Sequence, residues 1–181
     1  MRLARRRTGS HGVPEAVASA IELSKGESIL CGARDVDSGA WLIETQFALA
    51  LVAPSGGGDE APVVSWKRPW HDVDGGSWDP ESSLLTVTWV HRGRPGQWRL
   101  GDEPVFLQTL RERVQASVVL SEELPLSGRR KGRAVIRQDL RTGDLLQQVV
   151  LGRGVHEDDE VAVAADRALT SLREQVGMPH P

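Results

Sequence analysis

The segment WKRPWHDVDGGSWDP, residues 66–80, holds side chains that could do chemistry. It places His71 beside Asp72, with Asp74 two residues further on, and imidazole and carboxylate groups can bind a metal ion or carry protons in hydrolysis. If residues 63–73 form one strand, neighbouring side chains point to opposite faces, so His71 and Asp72 cannot bind one ion side by side. A small hydrolase built around these three residues is therefore the least favoured interpretation.

The tryptophans of this region are better explained by packing. Large aromatic side chains stabilise sheets by packing across neighbouring strands. The residues concerned are Trp66, Trp70, Trp78, Trp89 and Trp98. Core or half-buried packing is the favoured interpretation, and the alternative is an aromatic interaction surface formed by Trp66, Trp70 and Trp78.

A second candidate site is the basic loop SGRRKGR, residues 127–133. Its cations are Arg129, Arg130, Lys131 and Arg133. A glycine-containing basic loop offers charge and backbone donors together, so these residues could contact phosphate or nucleic acid. A solvated loop is the more common origin of such a run. Neither this loop nor the basic segment RLARRR, residues 2–7, is interleaved with aromatic residues on which bases could stack.

Other motifs point away from catalysis. In GRGVHEDDE, residues 152–160, the further glycine and the lysine of phosphate-binding loops are missing. Asp158 is better explained as the cap of a following helix than as half of a catalytic pair with Asp159. There is no Gly-x-Ser-x-Gly motif and no tyrosine, and the single cysteine, Cys31, is predicted to be a buried strand residue. We therefore predict no catalytic residues, no bound metal and no cofactor.

The composition sets the class of protein. The formal net charge of −3 is too close to neutral to indicate a polyanion partner for the whole molecule, so any basic site must be local. A lone cysteine is typical of a reducing compartment. No apolar stretch approaches the roughly 20 residues of a membrane span, and no signal-peptide core is present. We expect a soluble cytoplasmic protein.

The periodicity predicts many strands between helices. A basic tail, residues 1–12, precedes a short helix at 14–23. Strand-like runs separated by turn residues follow at 27–36, 40–53, 63–73, 83–90 and 96–101. The second run is long enough for two strands. The chain continues with an amphipathic helix at 102–120 and a hairpin of 133–140 with 144–152. It ends with a helix at about 158–176, for which Gly177 and Pro179 are the stop signals.

The local text resembles a known family. KGESIL followed by GAWLIETQFALALV is similar to the opening of bacterial pleckstrin-homology-like (PH-like) and GRAM-type domains, and KRPWHDVDGGSWDPESSLLTV resembles a later strand of that family. The resemblance covers residues 24–120, and the whole chain is similar to actinobacterial proteins of this size. The resemblance implies an α+β fold with a PH-like barrel of six or seven antiparallel strands closed by the helix at 103–120. The β-hairpin and the second amphipathic helix that follow are predicted from the residue pattern and lie outside the resemblance.

Three segments follow from this interpretation. Residues 1–23 are predicted to be a tail and short helix, residues 24–121 the PH-like domain, and residues 122–181 a hairpin-plus-helix appendage. The resemblance also suggests phosphoinositide binding at the first hairpin. Its turn, RDVDSGA, contains Asp35 and Asp37, which repel an anionic headgroup, so we exclude that ligand there.

The favoured function is a non-enzymatic cytoplasmic module that binds a protein, either a second copy or another chain, or plays a structural role. Exposed edge strands and the groove between sheet and helix are where such folds accept a partner. The alternative is a protein associated with nucleic acid or the ribosome, which would bind through loop 127–133 and the amino-terminal arginines.

Overall fold

The computed structural model describes residues 12–54, 56, 61–91 and 93–178. These residues confirm the α+β class, because they form ten strands in three antiparallel sheets together with α-helices. The chain divides into two compact units. Unit 1 comprises Met1–Arg68, Trp78–Leu85 and Trp98–Leu110, and unit 2 comprises Pro69–Ser77, Thr86–Gln97 and Arg111–Pro181.

The elements follow one another along the described chain as α1 (Glu15–Ala20), β1 (Ile29–Arg34), β2 (Trp41–Thr45), β3 (Ala48–Ala53), β4 (Val63–Pro69), a 3₁₀ turn (Trp70–Asp72), β5 (Val73–Asp79), β6 (Leu84–Trp89), β7 (Gly96–Arg99), α2 (Pro104–Ser117), β8 (Val118–Glu123), β9 (Gly132–Gln138), β10 (Leu145–Leu151) and α3 (Asp159–Val176). The strand orders are β1-β2-β3-β4, β5-β6-β7 and β10-β9-β8. Strands β5, β6 and β7 and helix α2 each contribute residues to both units.

The core of unit 1 lies between α1 and the sheet β1-β2-β3-β4. Val17 and Ile21 pack against Ile43 and Val52, which are fully buried. The approach is close at Gly32, where a Cβ atom would lie 2.6 Å from Ile43 Cδ1. Such a contact is too short for a side chain, so the packing of this face requires glycine at that position.

The core of unit 2 lies between α3 and the sheet β10-β9-β8. It is formed by Leu124, Ala134, Ile136, Ala164, Ala165, Ala168 and Leu172. The Asp158 carboxylate caps the helix by accepting a hydrogen bond from the Val161 N–H at 3.0 Å, and the helix ends at Gly177, whose φ is 67°. The predicted α3, its cap and its stop residue are therefore confirmed.

The prediction of one strand over residues 63–73 and a turn over 74–82 is wrong. Strand β4 ends at Pro69, which has no N–H to donate to a sheet, and the chain then forms the 3₁₀ turn Trp70–Asp72. The two glycines after Asp74 belong to β5, because pairing with β6 holds them extended. The turn comes later, where the Asp79 carboxylate accepts from the Glu81 N–H at 3.0 Å.

The predicted helix over 102–120 is too long. Helix α2 ends at Ser117, and Val118 and Val119 begin β8, as suits β-branched residues whose burial alternates along the strand. The predicted hairpin is confirmed as β9 and β10. It is not an isolated hairpin, because β8 pairs with β9 to complete a three-stranded sheet.

The predicted barrel is not confirmed. The seven strands before α2 are divided between a four-stranded and a three-stranded sheet, and no closed barrel is found in the described part of the chain. The three-segment domain division stays a prediction. Among the described residues, no helix has both the length and the apolar composition needed to span a bilayer.

Candidate functional site

Unit 2 contains an open cleft of about 1100 Å³. Most of its walls come from the ends of strands and from the loops that follow them. The lining segments are the second half of β6 from Thr86 onward, residues 93–95 with Gln97, loop residues 130–133, and residues 150–154 where β10 ends. Loops held by a sheet commonly carry binding groups, because the sheet fixes their positions.

One wall of the cleft is polar because successive side chains of β6 point to opposite faces of the sheet. Leu85 and Val87 are buried, so Thr86 and Thr88 point to the opposite face and line the cleft. The Gln97 side-chain amide donates to Thr86 Oγ1 at 3.2 Å, and the Thr88 hydroxyl donates to the Gly75 carbonyl at 3.3 Å. These bonds fix the hydroxyls while leaving acceptor capacity toward the cleft.

A backbone contact at Gly152 brings the basic loop and the end of β10 together. The Gly152 N–H donates to the Lys131 carbonyl at 2.7 Å, and a Cβ atom on Gly152 would lie 2.9 Å from that oxygen. Only glycine allows this approach. The backbone at Lys131 therefore lies against residue 152, and both Lys131 and Arg153 line the cleft.

The charges that line the cleft are mostly positive. They are Arg94, Arg130, Lys131, Arg133 and Arg153, with Asp74 and Glu123 as the acids. Arg130 forms ion pairs with Asp158 and Glu160, and Arg133 pairs with Asp74.

Three of the lining cations differ from Arg130 and Arg133. Arg94, Lys131 and Arg153 are exposed, and none of them has an acidic partner among the residues that the structure describes. Their charge is therefore available to a ligand.

The ion pairs of Arg130 fix one wall. Hydrogen bonding to Asp158 raises the pKa of the Arg130 guanidinium, and the bond from Arg130 together with the Val161 N–H lowers the pKa of Asp158. The pKa of Glu160 is lowered by bonds from the Ser127 N–H and hydroxyl. Both carboxylates thus remain ionised at neutral pH and hold Arg130 in place rather than exchange protons.

A fully buried arginine lies behind this wall. Arg137 Nη1 donates to the Val73 carbonyl at 2.9 Å and to Ser117 Oγ at 2.8 Å, and its Nη2 is 3.7 Å from Asp74 Oδ1. Burial lowers the pKa of Arg137, while the Asp74 charge opposes that shift. The Asp74 carboxylate therefore lies against two arginines, Arg133 and Arg137, and its charge is balanced within unit 2.

The structure brings together only two of the three predicted hydrolase residues, and the expectation that His71 and Asp72 point to opposite faces is wrong, because a 3₁₀ turn and not a strand carries them. His71 Nε2 and His91 Nε2 are each 3.9 Å from Asp72 Oδ1, whereas Asp74 pairs with Arg133. Within the described ranges, no group of three or more His, Cys, Asp or Glu side chains could hold a metal ion.

The tryptophans serve mainly as packing groups. Trp70 is fully buried, which removes it from the predicted interaction surface. Trp66 and Trp98 pack with ring centroids 6.0 Å apart, and Arg68 lies over the Trp66 ring at 5.8 Å. Trp66 and Trp78 are half-buried and stay candidates for an interaction surface.

Unit 1 contains a polar cluster that is closed on itself, hereafter the Glu27 cluster. The Glu27 carboxylate is almost buried and accepts from Lys67 Nζ at 2.8 Å, from Thr45 Oγ1 at 2.5 Å and from the Ser24 N–H at 2.8 Å. Burial raises the pKa of Glu27, but the bonds from Lys67, Thr45 and Ser24 outweigh it, so the net pKa is lowered. Each charge in the cluster is matched by another.

Cys31 is buried in β1, as predicted. Its Sγ donates to the Glu44 carboxylate at 3.2 Å. Burial and the Glu44 charge raise the pKa of this thiol far above its ordinary value. A thiol that does not ionise is a poor nucleophile and a poor metal ligand.

In the turn after β1, the carboxylates of Asp35 and Asp37 both have partners within the protein. Asp35 is buried and accepts from the Ser38 and Arg99 N–H groups at 3.1 and 2.9 Å, and Asp37 pairs with Arg99 at 3.2 Å. Burial raises the pKa of Asp35, but hydrogen bonds from the Ser38 hydroxyl and from the N–H groups of Ser38 and Arg99 outweigh it, so the pKa is lowered overall. The exclusion of phosphoinositides at this turn stays a prediction.

The sequence identified only part of the cleft. Arg130, Lys131 and Arg133 of the predicted basic loop line it, whereas the exposed Arg129 does not. The amino-terminal arginines lie outside the described residues. Arg94, Arg153 and the half-buried Trp89 were missed, because only the fold brings them beside the loop.

Comparison with known proteins finds one weak structural similarity. No family model matches the chain, and no curated protein matches it. Among solved structures, it is similar to a DUF1696 family protein with a pleckstrin-homology domain from Shewanella loihica PV-4, at 10% identity and a TM-score of 0.39, over 51% of this chain and 85% of that chain. A similarity of this degree carries no argument about function.

Proposed function

We propose that this chain is a non-enzymatic binding module and that the cleft of unit 2 binds an anionic partner. The observation that carries the proposal is a set of three cations on a concave surface that have no acidic partner among the described residues, Arg94, Lys131 and Arg153. The formal net charge of the whole chain is −3, whereas the charges that line the cleft are mostly positive. This contrast supports the proposal, because a positive cleft on a slightly acidic protein attracts anions to that one place.

The rest of the cleft supports binding rather than catalysis. Arg130 and Arg133 are held by carboxylates and provide rigid positive walls. Asp74, which lies against Arg133 and Arg137, is poorly placed to act as a general acid or base. A preorganised cationic surface of this kind favours an anionic partner by charge complementarity.

The proposal assigns one binding site, the cleft, to either of the two functions expected from the sequence. An acidic segment of a protein and a nucleic acid would both satisfy the cleft, so both a protein-binding role and a nucleic-acid-binding role remain compatible with it. We also propose that the seven strands and α2 form a PH-like fold, and that the protein acts in the cytoplasm. Support for the fold is the order of elements, seven antiparallel strands followed by an amphipathic helix.

The test is binding of a fluorescent heparin-derived oligosaccharide, a probe that reports negative charge alone. We expect the double variant Lys131→Ala/Arg153→Ala to lose affinity by about tenfold, since each exposed ion contact is worth up to about 1 kcal/mol. The matched control is Arg111→Ala/Arg167→Ala, which removes two exposed arginines outside the cleft.

The control should bind as the wild-type chain does. Equal losses in the two double variants would show that binding follows total charge, and would contradict a cleft-based site. No binding by the wild-type chain at low salt would contradict the function itself.

A further inference from the structure

We infer that the chain forms a symmetric dimer in which the outer edge of β10 pairs with the same edge of a second copy. The dimer is independent of the proposed function, because it involves a sheet edge and not the cations of the cleft. Strand β10 pairs with β9 on one side, and among the described strands none pairs with its other side. Such an edge presents a row of backbone N–H and C=O groups to which a further strand can bind.

The composition of β10 favours this pairing. Its seven residues, LLQQVVL, contain no charge and no proline, and the strand pairs with β9 without a register shift. Proteins commonly protect an outer strand with charged residues, proline or a bulge. The other outer strand of this sheet, β8, has such protection, because it ends in Glu122 and Glu123 and its register shifts between Val118 and Leu120. Of the two outer strands, β10 is therefore the one suited to a partner.

The register with β9 shows which backbone groups of β10 face outward. The Gly152 N–H donates to the Lys131 carbonyl, so these two residues form a hydrogen-bonded pair, and such pairs alternate along an antiparallel ladder. Residues 146, 148 and 150 therefore direct their N–H and C=O groups at β9. Residues 145, 147, 149 and 151 direct theirs outward, where a second strand can bind them.

The sequence of β10 is complementary to itself. When two copies run antiparallel about an axis at Gln148, Leu145 of one copy lies opposite Leu151 of the other. Leu146 then lies opposite Val150. Every outward-facing residue meets an outward-facing residue, so the two strands can form about eight backbone hydrogen bonds. Apolar side chains meet across both ends of the pair, and no like charges face one another.

The packing of α3 favours a second copy over an unrelated peptide. Helix α3 packs over β9 and β8, and Leu145, Val149 and Leu151 of β10 are only partly buried against the core of unit 2. Pairing about the axis at Gln148 puts the α3 side of both sheets on one face. These apolar side chains of the two copies would then cover one another, and the two sheets would form one sheet of six strands.

The first test is a disulfide that forms only in this register. Gln148 would face Gln148 of the second copy in a non-hydrogen-bonded pair, with Cα atoms about 4.5 Å apart, a distance that a disulfide can bridge. We expect Gln148→Cys to give a covalent dimer under mild oxidation, measured by non-reducing electrophoresis. The matched control is Gln147→Cys, at the more exposed neighbour. Its two copies would lie on a diagonal, with Cα atoms about 7–8 Å apart, so it should cross-link far less.

The second test measures the dimer without a cross-link, by sedimentation equilibrium of the full chain. We expect the mass of the wild-type chain to rise from one copy to two as its concentration increases. Val149→Pro removes an outward N–H and keeps the ladder to β9, so it should raise the dissociation constant by at least about tenfold.

The matched control for Val149→Pro is Ser121→Pro in β8. Its N–H also faces outward, because the Leu124 N–H donates to the Gly132 carbonyl and hydrogen-bonded pairs alternate from there. This variant should dimerise as the wild-type chain does. Circular dichroism checks that both proline variants fold, and if either does not, the cysteine variants decide.

Three results would overturn the inference. A chain that stays monomeric at every concentration, with neither cysteine cross-linking, would leave a strand of another protein as the occupant of the edge. Equal cross-linking by Gln147→Cys and Gln148→Cys would show that the copies do not meet in this register. A dimer weakened by Ser121→Pro and not by Val149→Pro would place the contact at β8.

Discussion

The Glu27 cluster of unit 1 and the cleft of unit 2 are both rich in charge, but they use it differently. In the Glu27 cluster, the carboxylate meets an ammonium group, a hydroxyl and a backbone N–H, and it is nearly inaccessible to solvent. In the cleft, Arg130 and Arg133 are paired, while Arg94, Lys131 and Arg153 remain exposed without an acidic partner among the described residues.

The difference indicates what each region is for. Charges that satisfy one another within the protein stabilise it, because the cost of their desolvation is offset by their partners. Exposed charges add little to stability but remain free to bind a ligand. Substitution of a charged residue that has partners inside the protein, such as Glu27 or Arg137, should therefore change stability. Substitution of Lys131 or Arg153 should change binding.

The largest effect on stability is expected at Arg137, the buried arginine behind the cleft. Arg137→Met removes the donor to the Val73 carbonyl and to Ser117 Oγ, and we expect it to lower the free energy of unfolding by about 3 kcal/mol. Urea denaturation measures this. Arg141→Met, at an exposed arginine, is the control and should change it by less than about 0.5 kcal/mol. A similar loss of unfolding free energy in the two variants would contradict the distinction between charges with partners inside the protein, which stabilise it, and exposed charges, which add little.

A smaller effect is expected at Glu27. Glu27→Gln leaves Lys67 without its carboxylate and should lower the free energy of unfolding at neutral pH by about 1–2 kcal/mol. Because the folded-state pKa of Glu27 is lowered, its charge stabilises the fold fully above its ordinary value of 4.5, and this contribution is lost as the pH falls through the folded-state pKa.

The gap between the wild-type chain and Glu27→Gln should therefore narrow as the pH falls below 4.5. Urea denaturation at a series of pH values measures it, with the exposed Glu22→Gln as the control. A gap that widens toward low pH would show that Glu27 does not act through its ionised form.

The smallest effect concerns affinity rather than stability. Glu123 lines the cleft, is exposed and opposes an anion. We expect Glu123→Gln to tighten binding of the heparin oligosaccharide by about twofold to fivefold, without a measurable change in stability. Glu112→Gln, outside the cleft lining, should leave the affinity unchanged. Weaker binding by Glu123→Gln would mean that the ligand lies elsewhere.

Local signals in the sequence were sufficient for several elements. Helix α3 was predicted together with its cap at Asp158 and its stop at Gly177, because capping depends on residues a few positions apart. The hairpin of β9 and β10 was predicted for the same reason. Strand β8 was missed, because Val118 continues the apolar stripe of α2 while its β-branched side chain also suits a strand.

The cleft could be predicted only in part. The basic loop is visible in the sequence, but the roles within it are not, since Arg130 finds its acids at Asp158 and Glu160 and Arg133 finds Asp74. Arg129 and Lys131 have no such partner in the described chain, and of these two only Lys131 lines the cleft. Trp89 joins the site through the path of β6, a long-range consequence of the fold.

The most direct test of the central claim is a map of backbone amide shifts by NMR as the heparin oligosaccharide is added to the ¹⁵N-labelled chain. The account predicts that the amides of Gly132, Gly152 and Gly154, together with those of Lys131 and Arg153, shift in a saturable way. Saturable shifts at exposed arginines of α2 and α3 with none in the cleft would contradict it.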